Sequence, residues 1–324
     1  MTKKLVLVGC GNVGSRHLQA LAKLPYDIVV DVVEPNKNSQ LLAKSRLNEI
    51  SYDKSNHDFF WHENINELTD ESDLVIDATL SVGRVDRLNQ LLKQGHLRFL
   101  IEKMVCQSIH EYELLLNSMK NFNAKGWVNT NPRCFKSYQK IKKYLNNSGT
   151  IRFSVLASES VGFGTNAIHY IDLFSWLSND YEIKLNGDFL MNKLLPNKRG
   201  ESLKEFTGSI IGSVDNGSFL TISFLPSYDG PVIVNISGNN NHFIIDETNE
   251  KILVLNEKEG NDWEFKFEHV STLTTMIVKD ILDRDTCLLP TLQDSFYAHA
   301  ELFRVFNTHI KKLLNYDLKL CPIT

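Results

Sequence analysis

The chain has 324 residues, of which 42% are hydrophobic and 23% charged, and its formal net charge is −4. These are the proportions of an ordinary globular protein long enough for two domains, and the slight acidity gives no electrostatic reason to expect nucleic acid. Five cysteines (Cys10, Cys106, Cys134, Cys287, Cys321) without a CxxC pair, and histidines without metal spacing, argue against a disulfide framework and against a metal site. No run approaches the ~18 apolar residues of a membrane span, so a cytoplasmic protein with reduced thiols is the simplest expectation.

Apolar residues from Leu5 to Val8 lead into Gly9-Cys10-Gly11-Asn12-Val13-Gly14, and a helix-compatible stretch, Ser15 to Lys23, follows. A second apolar run, Ile28 to Val33, ends at Glu34, 20 residues past the last glycine of this GxGxxG turn. Strand, glycine turn, helix, strand and acid in this order specify a dinucleotide-binding unit. Gly9 permits the tight turn off the strand, Gly11 lets backbone approach a pyrophosphate, and Gly14 lets the helix pack closely. With Asn12 and Val13 they form the expected cofactor-binding turn, whose helix N-terminus favours an anion. Glu34 is placed to accept hydrogen bonds from the adenosine ribose and would repel a 2′-phosphate. Lys37 partly offsets that repulsion, so the expected cofactor is NAD, with NADP less favoured.

Strand and helix patterns then alternate to about Asn121, which implies a parallel sheet with right-handed crossovers. Further strands are expected at Phe59–Trp61, Asp73–Ala78 and Arg98–Ile101, with helices at Ser39–Leu47, Val82–Gln94 and Ile109–Lys120; Ser51–Phe60 reads as a polar surface connection. After a short apolar piece, Gly126–Asn129, a helix is expected from Pro132 to Asn146, with Lys140, Lys142 and Lys143 on one solvated face. The rhythm then changes to strands at Ile151–Ala157, Thr207–Val214, Ser218–Leu225, Val232–Ser237 and His242–Asp246. Asn216-Gly217 is a hairpin signal, and Gly238-Asn239-Asn240-Asn241 reads as another reversal. Helices at Thr272–Leu282 and Asp294–Leu314 close the chain. The expected architecture is an α/β Rossmann domain, residues 1–125, followed by an α+β substrate-binding and oligomerisation domain with an open, mostly antiparallel sheet, residues 126–324. The free face of that sheet is the expected surface for a homo-oligomer, a dimer or tetramer.

Three motifs, in order, resemble the glucose–fructose oxidoreductase, inositol dehydrogenase and rhizopine-catabolism (Gfo/Idh/MocA) family over nearly the whole chain. They are GCGNVGSRHLQAL, with Arg16-His17 after the third glycine; Asp77-Ala78-Thr79 followed by Ile101-Glu102-Lys103 at two strand ends; and Asn166-Ala167-Ile168-His169-Tyr170-Ile171-Asp172 on a helix. The resemblance implies that Thr79, Glu102 and Lys103 lie at the cofactor and that Lys103 hydrogen-bonds the reacting hydroxyl. It implies that His169 shares the proton work, which suits an imidazole near neutrality, while Asp172, on the same side of the helix, orients the imidazole or anchors the helix. Arg133 resembles the family's substrate-side arginine, where it could clamp a carboxylate or phosphate bidentately or pair with an acid of the protein. Two departures stand out. Met104 replaces the usual proline after the lysine, and Asn166 stands where an acid is often found (Thr165 if the register differs by one residue). Asn166 can hydrogen-bond a substrate hydroxyl but cannot take its proton.

The implied activity is an NAD-dependent dehydrogenase or reductase acting on a hydroxyl or keto carbon of a sugar or sugar derivative, in the manner of members from surface-polysaccharide and sialic-acid-like sugar pathways. Two other readings stand beside it at the level of sequence. One is a non-catalytic NAD-binding sensor or scaffold; the other is a different reaction on the same fold, such as reduction of a conjugated ligand or NAD-dependent glycoside cleavage.

Overall fold

Short β-branched runs separated by stretches with one apolar face leave the first half of the chain little choice but βα units, which bury the inner strands on both faces. The computed structural model describes residues 2–52, 55–145, 149–238, 240–255 and 263–324. It begins with β1 (Lys3–Val8), α1 (Gly14–Leu21), β2 (Ile28–Val33), α2 (Lys37–Asn48), β3 (His57–His62), β4 (Leu74–Asp77), α3 (Arg84–Lys93), β5 (Arg98–Ile101), α4 (Ile109–Asn121) and β6 (Lys125–Val128). The six strands form one sheet in the order β3-β2-β1-β4-β5-β6, every pairing parallel. The direction of winding reverses between β1 and β4, so their carboxyl ends flank the crevice where such sheets take ligands.

Two expectations are corrected here. The stretch 57–62, read mostly as a polar connection, is the edge strand β3, with Phe60 exposed. The apolar piece at 126–129 does not open the second domain but pairs with β5 as the sixth parallel strand.

The second region starts with a 3-10 turn at Asn131–Cys134 and α5 (Lys136–Leu145). It continues through β7 (Arg152–Ser158), α6 (Phe163–Ser178), β8 (Lys184–Asn186), β9 (Leu195–Asn197), β10 (Gly200–Glu205), β11 (Gly208–Ser213), β12 (Phe219–Leu225), β13 (Ile233–Gly238), β14 (Asn241–Asp246) and β15 (Lys251–Leu255). Seven of these strands form a sheet in the order β15-β14-β13-β7-β12-β11-β8, antiparallel except where β7 meets β12. Alternation along β12 buries Leu220, Ile222 and Phe224 on one face, where Phe224 stacks on Phe163 of α6, and leaves Thr221 and Ser223 half-buried on the other. Of the expected reversal at 238–241, Asn239 lies outside the described residues, as does Asn146 at the expected end of α5.

Two helices close the chain, α7 (Val270–Arg284) and α8 (Leu292–Leu314), and they part company. The chain resolves into one compact unit of Met1–Cys106, His110–Asn131 and Glu268–Gln293, and another of Gln107–Ile109, Pro132–Phe267 and Asp294–Thr324. The division expected at 125/126 is therefore interleaved rather than a single cut. The reason is α7, whose Leu273, Ile277, Val278 and Ile281 are buried while Thr275 donates to the Ala20 carbonyl of α1 at 2.8 Å. Covered by α7, α1 has seven of its eight residues buried, including the polar Ser15, His17 and Gln19. Among the described residues no helix is long and apolar enough to cross a membrane.

Candidate functional site

The glycine turn is as tight as its sequence demands. Gly9 has φ +82°, where a side chain is strained, and a Cβ on Gly14 would lie 2.0 Å from the Gly9 carbonyl oxygen. A Cβ on Gly11, by contrast, meets nothing within 4 Å, so backbone at that corner is open to a ligand. Glu34, 7% exposed at the end of β2, turns one carboxylate oxygen to the Cys10 N–H at 2.7 Å and the other to the Asn36 N–H at 2.9 Å. Each oxygen keeps a second lone pair for a hydroxyl. A pyrophosphate-and-ribose group fits this turn and carboxylate. Arg46 of α2 adds a positive charge by donating to the Asn12 carbonyl at 2.9 Å and the Ser15 hydroxyl at 2.6 Å. Burial, then the charge of Glu34, pushes the Cys10 thiol up to about 12, so it stays protonated and inert. Lys37 pairs with Glu63 on the surface.

At the next two strand ends, polar groups that the sequence left separate are tied together. Asp77, fully buried at the end of β4, accepts from the Thr79 N–H at 3.0 Å and the Arg84 Nε–H at 3.2 Å. Arg84 is itself fully buried and also donates to the carbonyls of Thr79, Glu102 and Met104. Lys103, 6% exposed, stands between the last two, and the Lys103–Met104 peptide is cis. Glu102 Oε1 accepts from Asn129 Nδ2 at 2.5 Å and faces His17 Nε2 at 3.0 Å, and the other ring nitrogen of His17 faces the Thr274 hydroxyl at 2.8 Å. Burial alone would raise the Glu102 carboxyl. The hydrogen bond and charge of His17, with Asn129 and Lys103, outweigh it and pull the pKa down to about 2. Sequence reasoning missed His17 and Arg84 as core residues. The only local hint was the Arg16-His17 dipeptide, and nothing local tells a buried arginine from a surface one.

The second unit holds the remaining candidates. Arg133, 2% exposed, meets Asp172 of α6 through Nε to Oδ2 at 2.8 Å and Nη2 to Oδ1 at 2.6 Å, while its other Nη donates to the Tyr181 hydroxyl at 3.2 Å. Of the two partners open to Arg133, a substrate anion or an acid of the protein, its bidentate contact is made with Asp172. Burial works against the guanidinium charge, but Asp172 and Tyr181 more than restore it and raise the pKa. His169, three residues before Asp172, is half-buried on the same helix. Asn166 donates to the Val161 carbonyl at 2.7 Å, and Thr165 donates through its hydroxyl to Glu205 of β10. A cavity of about 420 Å³ opens here, bordered by Thr165, Asn166, Asn197, Lys198, Arg199 and Glu205. Its wall offers amides, a hydroxyl and charges of both signs, donors and acceptors suited to a polyhydroxylated molecule. Lys142, expected on a solvated face, instead donates to the Trp176 and Leu177 carbonyls at the end of α6. Burial, with Arg133 nearby, brings its pKa down to about 8.

No family model matches the sequence, and no curated protein is significantly similar to it. Solved structures are similar over almost the full length. UDP-N-acetylglucosamine 3-dehydrogenase GnnA from Acidithiobacillus ferrooxidans superposes with a TM-score of 0.71 at 14% identity, over 97% of this chain and 99% of that one. The WlbA dehydrogenase from Bordetella pertussis, in complex with NADH and UDP-GlcNAcA, gives 0.70 at 14%, over 96% and 98%. Levoglucosan dehydrogenase, in complex with NADH and levoglucosan, gives 0.68 at 13%, over 96% and 98%. The chain has the fold of these dehydrogenases. The Rossmann unit and the mostly antiparallel second sheet expected from the sequence are both present.

Proposed function

We propose that the chain is an NAD-dependent oxidoreductase of the Gfo/Idh/MocA family, moving hydride between nicotinamide and a hydroxyl-bearing carbon of a sugar or sugar derivative. The observation that carries this reading is the carboxyl edge of the 3-2-1-4-5-6 sheet. A turn too tight for any side chain at Gly14 lies beside the Glu34 carboxylate, two strands from a buried lysine at the end of β5. Gly9 to Gly14 hold the pyrophosphate, Glu34 the adenosine ribose, and Thr79, Glu102 and Lys103 border the nicotinamide end. When bound, NAD supplies the hydride acceptor. Lys103 hydrogen-bonds the reacting hydroxyl, and Lys103 with His169 takes its proton. Asn166 and the polar and charged wall of the cavity beside it orient the sugar, and the Arg133–Asp172 pair holds α6, which carries His169, in place. The solved dehydrogenases crystallised with NADH and a sugar ligand support the substrate class.

NAD is preferred over NADP because Glu34 would face a 2′-phosphate. The protein is cytoplasmic and works as a homo-oligomer, a dimer or tetramer, through the half-buried face of the seven-stranded sheet, where Ser154, Thr221, Ser223 and Asn235 alternate with the core; light scattering that finds only monomer removes that part.

The test is NADH formation across a panel of free and nucleotide-activated sugars. At least one substrate is expected to turn over, with Lys103→Ala and His169→Ala each lowering kcat by about 10²-fold or more. Tight NAD binding without turnover on the whole panel would instead make the protein a sensor.

A further inference from the structure

A lysine that hydrogen-bonds a reacting hydroxyl must be held to within a fraction of an ångström, and its flanking backbone needs a partner that fixes it. The structure supplies it from α3. Arg84, at the first position of that helix, is 0% exposed and sends its guanidinium under the ends of β4 and β5. One nitrogen, Nη1, donates to both the Glu102 carbonyl and the Met104 carbonyl at 2.5 Å each, so a single group grips the backbone on both sides of Lys103. Nη2 takes the Thr79 carbonyl, and Nε takes Asp77 Oδ1 at 3.2 Å. Asp77 is fully buried and provides the counter-charge, and the guanidinium of Arg87 approaches its other oxygen at 3.7 Å.

We propose that Arg84 is a positioning residue for Lys103: its planar fork locks the ends of β4 and β5 into one rigid piece and so sets where the lysine side-chain nitrogen stands. The proposal rests on the reading of Lys103 as the residue that holds the reacting hydroxyl. The chemistry explains why arginine is needed. Four acceptors lie around one buried cation in different directions, which suits five N–H donors in a fixed plane and not three on a point charge. A lysine at 84 keeps the charge that Asp77 requires but cannot span the carbonyls of Thr79, Glu102 and Met104 together.

The experiment compares wild type with Arg84→Lys, and with the double variant Arg84→Met/Asp77→Asn, which removes both buried charges so that folding does not depend on an unpaired aspartate. Each is measured for hydrogen exchange of the 99–106 segment against β1, and for kcat and KM with NAD and substrate. Arg84→Lys is expected to exchange faster at 102–106 with β1 unchanged. Its kcat should fall roughly 10- to 100-fold while the KM for NAD stays within about threefold, as a sub-ångström misplacement predicts. In Arg84→Ala, added guanidinium should restore part of kcat and methylammonium should not. Wild-type exchange at 102–106, or faster exchange with wild-type kcat, overturns the positioning role, as does a loss confined to the KM for NAD. Lys103→Ala with wild-type turnover overturns the underlying assignment of Lys103 instead, and the exchange data tell the two failures apart because they need no turnover.

Discussion

The Glu102–His17 contact makes a quantitative claim about acid stability. The carboxyl's ordinary value is 4.5 and its value in the fold is about 2, a difference of about 2.5 units (4.5 − 2). At 1.36 kcal/mol per unit this corresponds to about 3 kcal/mol of stability. The folded pKa is depressed, so the contribution is fully present above the unfolded value and is lost as the pH falls through the folded one. Between about pH 5 and about pH 3, roughly 2 kcal/mol should disappear. Glu102→Gln keeps the shape and most of the hydrogen bonding but has no proton to gain. Urea unfolding of wild type and Glu102→Gln over that range isolates the group, because every other carboxylate titrates in both proteins. The wild-type curve should fall more steeply by about 2 kcal/mol, and removing the imidazole with His17→Gln should give an intermediate slope. Parallel curves for wild type and Glu102→Gln would refute the reasoning, whatever constant offset separates them.

Arg133→Met leaves Asp172 charged and buried and should cost about 3–5 kcal/mol in urea unfolding, whereas Arg133→Met/Asp172→Leu should recover most of it; a double variant no better than the single would show that Asp172 needs no partner. Gly14→Ala places a methyl 2.0 Å from the Gly9 carbonyl oxygen, so calorimetry should find NAD affinity lost by at least tenfold or the fold itself compromised, and undiminished NAD affinity in a stable variant would contradict the geometry of the turn. Glu34→Ala should weaken NAD and narrow the ratio of kcat/KM values for NAD over NADP; an unchanged ratio would assign the preference to another residue.

The half of the chain that was legible in sequence is the half where local pattern and tertiary environment agree. Strands buried on both faces, such as Ile28–Val33 and Arg98–Ile101, read as apolar runs with matching boundaries in the structure. Edge elements read poorly for the opposite reason. In β3 and β15 the side chains are alternately or largely solvent-facing, so His57–His62 resembles a loop, and Lys251–Leu255 drew no assignment at all. The small strands β8, β9 and β10 are short and polar enough to carry no periodicity. The placement of α7 was out of reach, since only the fold puts Thr274 against His17. The same limit governs the candidate site. Gly9, Gly14 and Glu34 announce themselves because each answers to a local backbone need. Arg84 and the partner of Arg133 do not, because a charge on a helix is read as surface until its buried counter-ion is seen.

The most direct test of the central claim follows the hydride itself. NADH carrying deuterium at carbon 4 of the nicotinamide is incubated with the protein and a panel of keto-sugars and keto derivatives of nucleotide-activated sugars, and the products are weighed by mass spectrometry. Transfer predicts a product carrying deuterium on the former carbonyl carbon, formed by wild type and at least about a hundredfold more slowly by Lys103→Ala. NADH that binds tightly while no product from the panel acquires deuterium would contradict the account.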